Sequence, residues 1–140
     1  MDNKQLVELA FKAQKMAYIP YSGFMVGAAL LAADGRVFTG CNIESVSFSP
    51  TNCAERTAFF KAVSEGCRAF TKIAVVGGFA DGRSSGDGYT APCGVCRQVM
   101  AEFCHPQQFQ IIVAKSIEEP FRVYTLKELL PFGFSPEYLA

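Results

Sequence analysis

Apolar residues recur at helical spacing near the start of the chain, at Leu6, Leu9, Ala10, Ala13 and Ala17, and the Pro and Gly of "IPYSG" then break the pattern. These positions predict an opening helix that serves as scaffold. The apolar runs "VGAALLA" and "RVFTGCNI" flank "ADGR", whose Asp-Gly pair signals a tight hairpin between two antiparallel strands. Asn42 and Glu44 fall at the far end of the second strand. A helix is predicted from about Ala54 to Glu65, with Gly66 just past its end. "KIAVVGG" has the continuous apolar character of a buried strand, and residues 77 to 91, rich in Gly, Ser and Asp, predict a loop. "PCGVCRQVMAEFC" places Val95, Val99, Met100 and Phe103 on one helical stripe, and "FQIIVAK" follows as a second buried strand. Strand, helix and strand at this spacing predict a right-handed crossover between parallel strands. Too few residues separate "IIVAK" from "RVYTL" for another crossover, so those two strands should pair antiparallel before a short helix around "LKELL". The expected fold is α/β: a three-layer α/β/α sandwich around a mixed five-stranded sheet with an antiparallel last strand, in a single domain spanning residues 1–140.

Half of the 140 residues are hydrophobic, enough to bury a core without cofactor or disulfide staples. Thirteen basic side chains balance thirteen acidic ones, so no excess positive charge favours nucleic acid or an acidic membrane surface. The first eighteen residues mix charged and apolar positions with no apolar signal core, and no run approaches membrane-spanning length. A cytoplasmic protein is expected. Six cysteines in such a chain point to thiol or metal chemistry rather than a disulfide framework.

Cys93 and Cys96 form a Cys-x-x-Cys at a helix start, where residues three apart share a face and can reach one ion. A redox dithiol uses the same spacing, and Cys53, at the start of the preceding helix, is the residue that favours a metal. Glu55 lies two positions further on. Inside a helix, positions 53 and 55 would diverge by about 200°. Both can face one site only if Cys53 is the non-helical cap residue and Glu55 belongs to the first turn. Three thiolates leave the fourth zinc position to water, as catalytic sites require. The pKa of that water falls toward neutrality, and a neighbouring carboxylate that is not a ligand can carry its proton, which is the role predicted for Glu55. Its bland alternative is an acid placed at a helix N-terminus. His105, Cys41, Cys67 and Cys104 could supply a fourth ligand, but each is better explained as a surface histidine or a small buried hydrophobe. Three thiolates around Zn²⁺ carry a net charge of minus one. Helix N-termini offset it, Arg56 is expected to donate to a thiolate, and Arg97 is either a second such donor or a solvated surface residue.

At this point "YIPYSGFMVGAALL", "GCNIE", "NCAERTA" and "PCGVCRQ" together resemble the small zinc-dependent cytidine deaminases over nearly the whole chain. The deaminase signature is met in its three-cysteine form by Cys53, Glu55, Pro92, Cys93 and Cys96. The resemblance implies a cytidine deaminase-like fold and one Zn²⁺ per subunit, held by Cys53, Cys93 and Cys96, with Glu55 as general acid/base. The activated water would attack C4 of the cytosine ring, release ammonia, and convert cytidine and 2′-deoxycytidine to uridine and 2′-deoxyuridine in pyrimidine salvage. Asn42 and Glu44 would bind the ribose 3′-hydroxyl, Phe24 would pack on the base, and the Ala54 backbone would read its polar edge. Without the resemblance, Asn42 and Glu44 are an ordinary turn and Phe24 is plain core. A homotetramer is implied, in which Phe134 of the aromatic tail closes over a neighbour's nucleoside. Phe48 stands where the family often has Tyr, Ala91 where Ser often precedes Pro-Cys, and the 77–91 loop is longer than in compact relatives. Three alternatives remain. A zinc-stabilised interaction module would need a fourth ligand and no Glu55. A polynucleotide-editing deaminase should carry a basic face. A deaminase of blasticidin S or another aminated heterocycle shares the chemistry, and "CNIE" argues instead for a nucleoside.

Overall fold

The computed structural model describes residues 1–140. Asp2 caps the first helix, α1 (Asn3–Gln14), through a reciprocal capping box with Gln5. Its buried face is Leu6, Val7 and Ala10. The helix stops three residues short of Ala17. The expected hairpin follows as β1 (Phe24–Ala32) and β2 (Val37–Cys41), paired antiparallel from Leu31↔Val37 to Gly27↔Cys41. Then come α2 (Ala54–Ser64), β3 (Phe70–Phe79), α3 (Gly94–Phe103), β4 (Gln110–Val113), β5 (Arg122–Thr125), α4 (Leu126–Leu129) and a closing 3₁₀ turn, Pro136–Leu139.

The sheet order is β2-β1-β3-β4-β5. β1 runs antiparallel to β2 and β3, β3 is parallel to β4, and β5 returns antiparallel to β4. Alternation along the strands splits the core across the two faces. Ala29, Leu31, Ala74, Val76 and Ile112 face α1, whereas Ala28, Leu30, Ile73, Val75, Ile111 and Val113 face α2 and α3. The second layer is the larger, with Phe59 packed edge-on against Phe70 at 5.1 Å between centroids. The α/β/α sandwich and the antiparallel last strand are as the sequence predicts.

Two expectations are corrected. β3 extends to Phe79, so the loop begins at Ala80 rather than at 77. Gly77 and Gly78 stay in register with Val26 and Met25, and the Thr90 side chain lies within 2.6 Å of where a Cβ on Gly77 would sit. Glycine here admits a close neighbour instead of breaking the strand. In α3, Val95 is 57% exposed, and the buried face is Cys96, Met100 and Ala101. With Cys96 turned inward, the helix is rotated away from the stripe that Val95 would begin.

A candidate metal centre

α2 and α3 approach the site with their N-termini. Cys53 caps α2 with extended dihedrals (φ −77°, ψ 156°), and Cys93 caps α3 in nearly the same conformation (φ −67°, ψ 167°). Neither side chain caps its own helix, so both sulfurs are free for other partners. Cys96 lies on the first turn of α3 and is 1% exposed. The Cys53 and Cys93 Sγ atoms are 3.6 Å apart, those of Cys93 and Cys96 are 3.5 Å apart, and all three lie within 4.8 Å of one another. A tetrahedral ion with Zn–S bonds of about 2.3 Å separates its sulfurs by about 3.8 Å, so the cradle fits zinc closely. No histidine, carboxylate or further cysteine joins the group, and Cys41, Cys67, Cys104 and His105 lie outside it.

The surroundings favour negative charge at Cys53. The hydrogen bond from Cys96 and those from Arg56 and Cys93 pull its thiol down to about 5 against the effect of burial. Cys96 moves the opposite way, holding its proton because of that same bond and its burial. Arg56 Nη2 donates to Cys53 Sγ at 3.2 Å, in the position expected of it, while its buried Nε has no partner. Arg97 does neither of the things expected. It donates to two backbone oxygens, those of Pro92 (2.7 Å) and Leu129 (2.8 Å).

Glu55, in the first turn of α2, is 3% exposed and is the one buried charged side chain of the fold. Its Oε1 has no hydrogen-bond partner. Burial raises its pKa from 4.5 to about 7, and the charge on Cys53 adds to the shift against opposing backbone hydrogen bonding. A buried carboxylate oxygen without a partner, beside three thiols, is the arrangement expected of a group that handles protons for a metal centre.

The remaining predicted residues gather at the β1–β2 end of the sheet or lie apart from it. Phe24 opens β1 and meets Phe79 edge-on at 5.1 Å. Asn42 bridges to β1, its Oδ1 accepting from the Val26 N–H and its Nδ2 donating to the Phe24 carbonyl, both at 2.9 Å. Glu44 is half-exposed, and it accepts from the Tyr21 and Ser22 N–H groups (3.0 and 3.1 Å) and from the Ser22 hydroxyl. The Ser22 hydroxyl bond, with the backbone donors, holds its pKa below the usual value. Asn42 and Glu44 thus have polar partners from their own chain. Beyond stopping the helix, "IPYSG" contributes Tyr21 and Ser22 to a cavity of about 410 Å³ lined also by Glu44, Ser45, Phe48 and Thr51, a role without a local signal in the sequence. Sequence reading also missed Thr57, whose Oγ1 reaches the Cys41 carbonyl at 3.0 Å and the Cys53 carbonyl at 3.1 Å. Ala54 is fully buried. Phe134 is 56% exposed, stacked on Tyr138, and its carbonyl accepts from Gln98 Nε2 at 2.8 Å. A second cavity, of about 650 Å³, lies under the C-terminal segment between Leu126 and Tyr138 and includes none of the cysteines.

A three-layer sandwich with three thiols and a buried acid at two helix starts defines a zinc-type deaminase domain. The family model for the cytidine and deoxycytidylate deaminase zinc-binding region matches residues 1–112. The chain belongs to this family. It is 47% identical over 140 residues to the cytidine deaminase of Sporosarcina psychrophila, covering all of this chain and 96% of that protein. It is 47% identical over 137 residues to that of Halalkalibacterium halodurans, covering 98% and 97% of the two chains. Among solved structures, the cytidine deaminase of Burkholderia pseudomallei superposes with a TM-score of 0.84 at 44% identity, over 96% of this chain and 100% of that one.

Proposed function

We propose that this protein catalyses the hydrolytic deamination of cytidine and 2′-deoxycytidine to uridine and 2′-deoxyuridine in pyrimidine salvage, with one zinc ion per subunit. The observation that carries the reading is Glu55, a buried carboxylate with a free oxygen beside a three-thiol cradle that lacks a fourth protein donor. Cys53, Cys93 and Cys96 hold the ion, which supplies an acidified water when bound. Glu55 takes one proton of the water at Oε1 and hands it to the ring nitrogen, then takes the second and hands it to the amino group, which leaves as ammonia. Burial already holds its pKa well above the usual carboxylate range before any ion is bound, which favours a carboxylate that can both take up and release a proton. Arg56 disperses sulfur charge by donating to Cys53.

Asn42 and Glu44 bind the sugar. Each polar end of the Asn42 amide has made one bond, leaving a donor and an acceptor, and the Glu44 carboxylate retains lone-pair capacity after three bonds. Phe24 packs on the base, the Ala54 backbone reads its edge, and Phe134 serves a neighbouring site in a homotetramer. A cytoplasmic setting fits a free nucleoside substrate and a chain in which no helix is long and apolar enough to cross a membrane.

The test follows the ultraviolet absorbance of cytidine with purified protein. Absorbance should fall with the zinc-loaded chain, stop when a chelator removes the ion, and return on zinc addition. Glu55→Gln should bind zinc yet lose at least about 10²-fold in kcat, within the range for a general acid–base group. A zinc-stabilised interaction module would be indifferent to that substitution. Turnover of blasticidin S with cytidine untouched would move the assignment to the rival heterocycle.

A further inference from the structure

Cys93 is the ligand with least packing around it, being exposed where Cys53 is half-buried and Cys96 is buried. The direction of its sulfur therefore depends on how its backbone is held. Two peptide units meet at its Cα, and one residue pins both. The Arg97 N–H donates to the Cys93 carbonyl at 3.0 Å, the ordinary first bond of α3. The Arg97 side chain turns back and donates from Nε to the Pro92 carbonyl at 2.7 Å, a short charge-assisted bond outside the helix ladder. Between them these bonds brace the extended backbone of Cys93.

The same guanidinium reaches further. Its Nη1 donates at 2.8 Å to the carbonyl of Leu129, the last residue of α4. Final helix carbonyls have no partner within their own helix, so this bond also anchors the segment that follows. The next residue, Gln98, holds the Phe134 carbonyl of that segment. At the other helix start, Thr57 stands in the matching position, four residues after Cys53, and its hydroxyl holds the Cys53 carbonyl.

We propose that Arg97 is a positioning residue of the metal centre: by clamping the Pro92 carbonyl it aims Cys93 Sγ at the ion, and through Leu129 it ties that loop to the C-terminal segment. The proposal rests on the reading that the three cysteines hold zinc. A planar fork can serve two carbonyls in different directions, which a lysine ammonium on a single stem reproduces poorly.

The experiment compares the wild-type chain with Arg97→Met and Arg97→Lys, measuring zinc transfer to a chromophoric chelator and the melting temperature of metal-free and zinc-loaded protein. Arg97→Met should lose zinc at least about tenfold faster, within the range for partners that orient metal ligands, and zinc should raise its melting temperature by less than in wild type. Arg97→Lys should fall between. A mere brace of α4 would lower both melting temperatures alike and leave zinc release at the wild-type rate, and that result would overturn the proposal. If Arg97→Met does not fold, Arg97→Lys decides by the same two readouts. A wild-type chain that takes up no zinc would sink the metal centre and this role with it, whereas equal retention by wild type and variants would sink only the role of Arg97.

Discussion

Burying a carboxylate without a partner destabilises a fold, and Glu55 bears that cost. Its pKa is about 7 in the folded chain against an ordinary 4.5, which corresponds to roughly 3 kcal/mol between the protonation states. The sign follows from linkage. Below about pH 4.5 both folded and unfolded forms hold the proton and nothing is lost. As pH rises to about 7 the unfolded chain ionises first, and stability falls. Metal-free Glu55→Gln should therefore be more stable than wild type by about 2–3 kcal/mol at pH 8, with the gap closing toward pH 4.5, as denaturant unfolding at the two pH values can check. A variant no more stable at pH 8 would mean that the carboxylate is not strained. The pairing of Cys53 with Glu55 was legible in the sequence because cap geometry is local. The partners of Glu44 were not, because Tyr21 and Ser22 join it only when the β1–β2 end of the sheet closes. Arg97 was equally opaque, since its Leu129 partner lies 32 residues away.

Helix starts and strand ends do the positioning at the next scale. β2 and α2 touch at Gly40, where a Cβ would come within 2.4 Å of the Ala54 carbonyl and 2.7 Å of the Ala58 N–H. That contact sets how close the helix start carrying Cys53 can come to the hairpin. Gly40→Ala should cost about 1–3 kcal/mol of stability by overpacking, and it should weaken zinc retention as well, because backbone rather than a flexible side chain must move. A zinc affinity equal to wild type would show that the helix start accommodates the shift. After the 80–86 turn the chain is fastened again. Asp87 pairs with Arg122 at 2.8 Å, the Arg122 guanidinium covers the Tyr89 ring at 3.8 Å, and the Tyr89 hydroxyl donates to the Pro120 carbonyl at 2.6 Å. All five strands, the hairpin, the parallel β3–β4 pair and the antiparallel return of β5 were legible from apolar runs and turn residues, whereas the antiparallel meeting of β1 with β3 was not. The end of β3 was not, since Gly-Gly signals a loop until Thr90 is seen to need the room.

The apolar side chains that the fold leaves outside matter at the scale of the whole molecule. Val46 and Phe48, near the candidate sugar pocket, are 78% and 82% exposed, and Phe132 and Leu139 in the C-terminal segment are at least as bare. The proposed tetramer would cover such side chains, and sedimentation at assay concentration should show it. A fully active monomer would remove Phe134 from the reaction. The sulfur donors, meanwhile, are divided by the exposed Gly- and Ser-rich turn at 82–86, one before it and two after. A protease cut in that turn would leave two polypeptides sharing a single coordination sphere, with β3 on one side pairing with β4 on the other. The ion would then act as a rivet beside the shared core, and the nicked molecule should hold together more firmly with metal than without it.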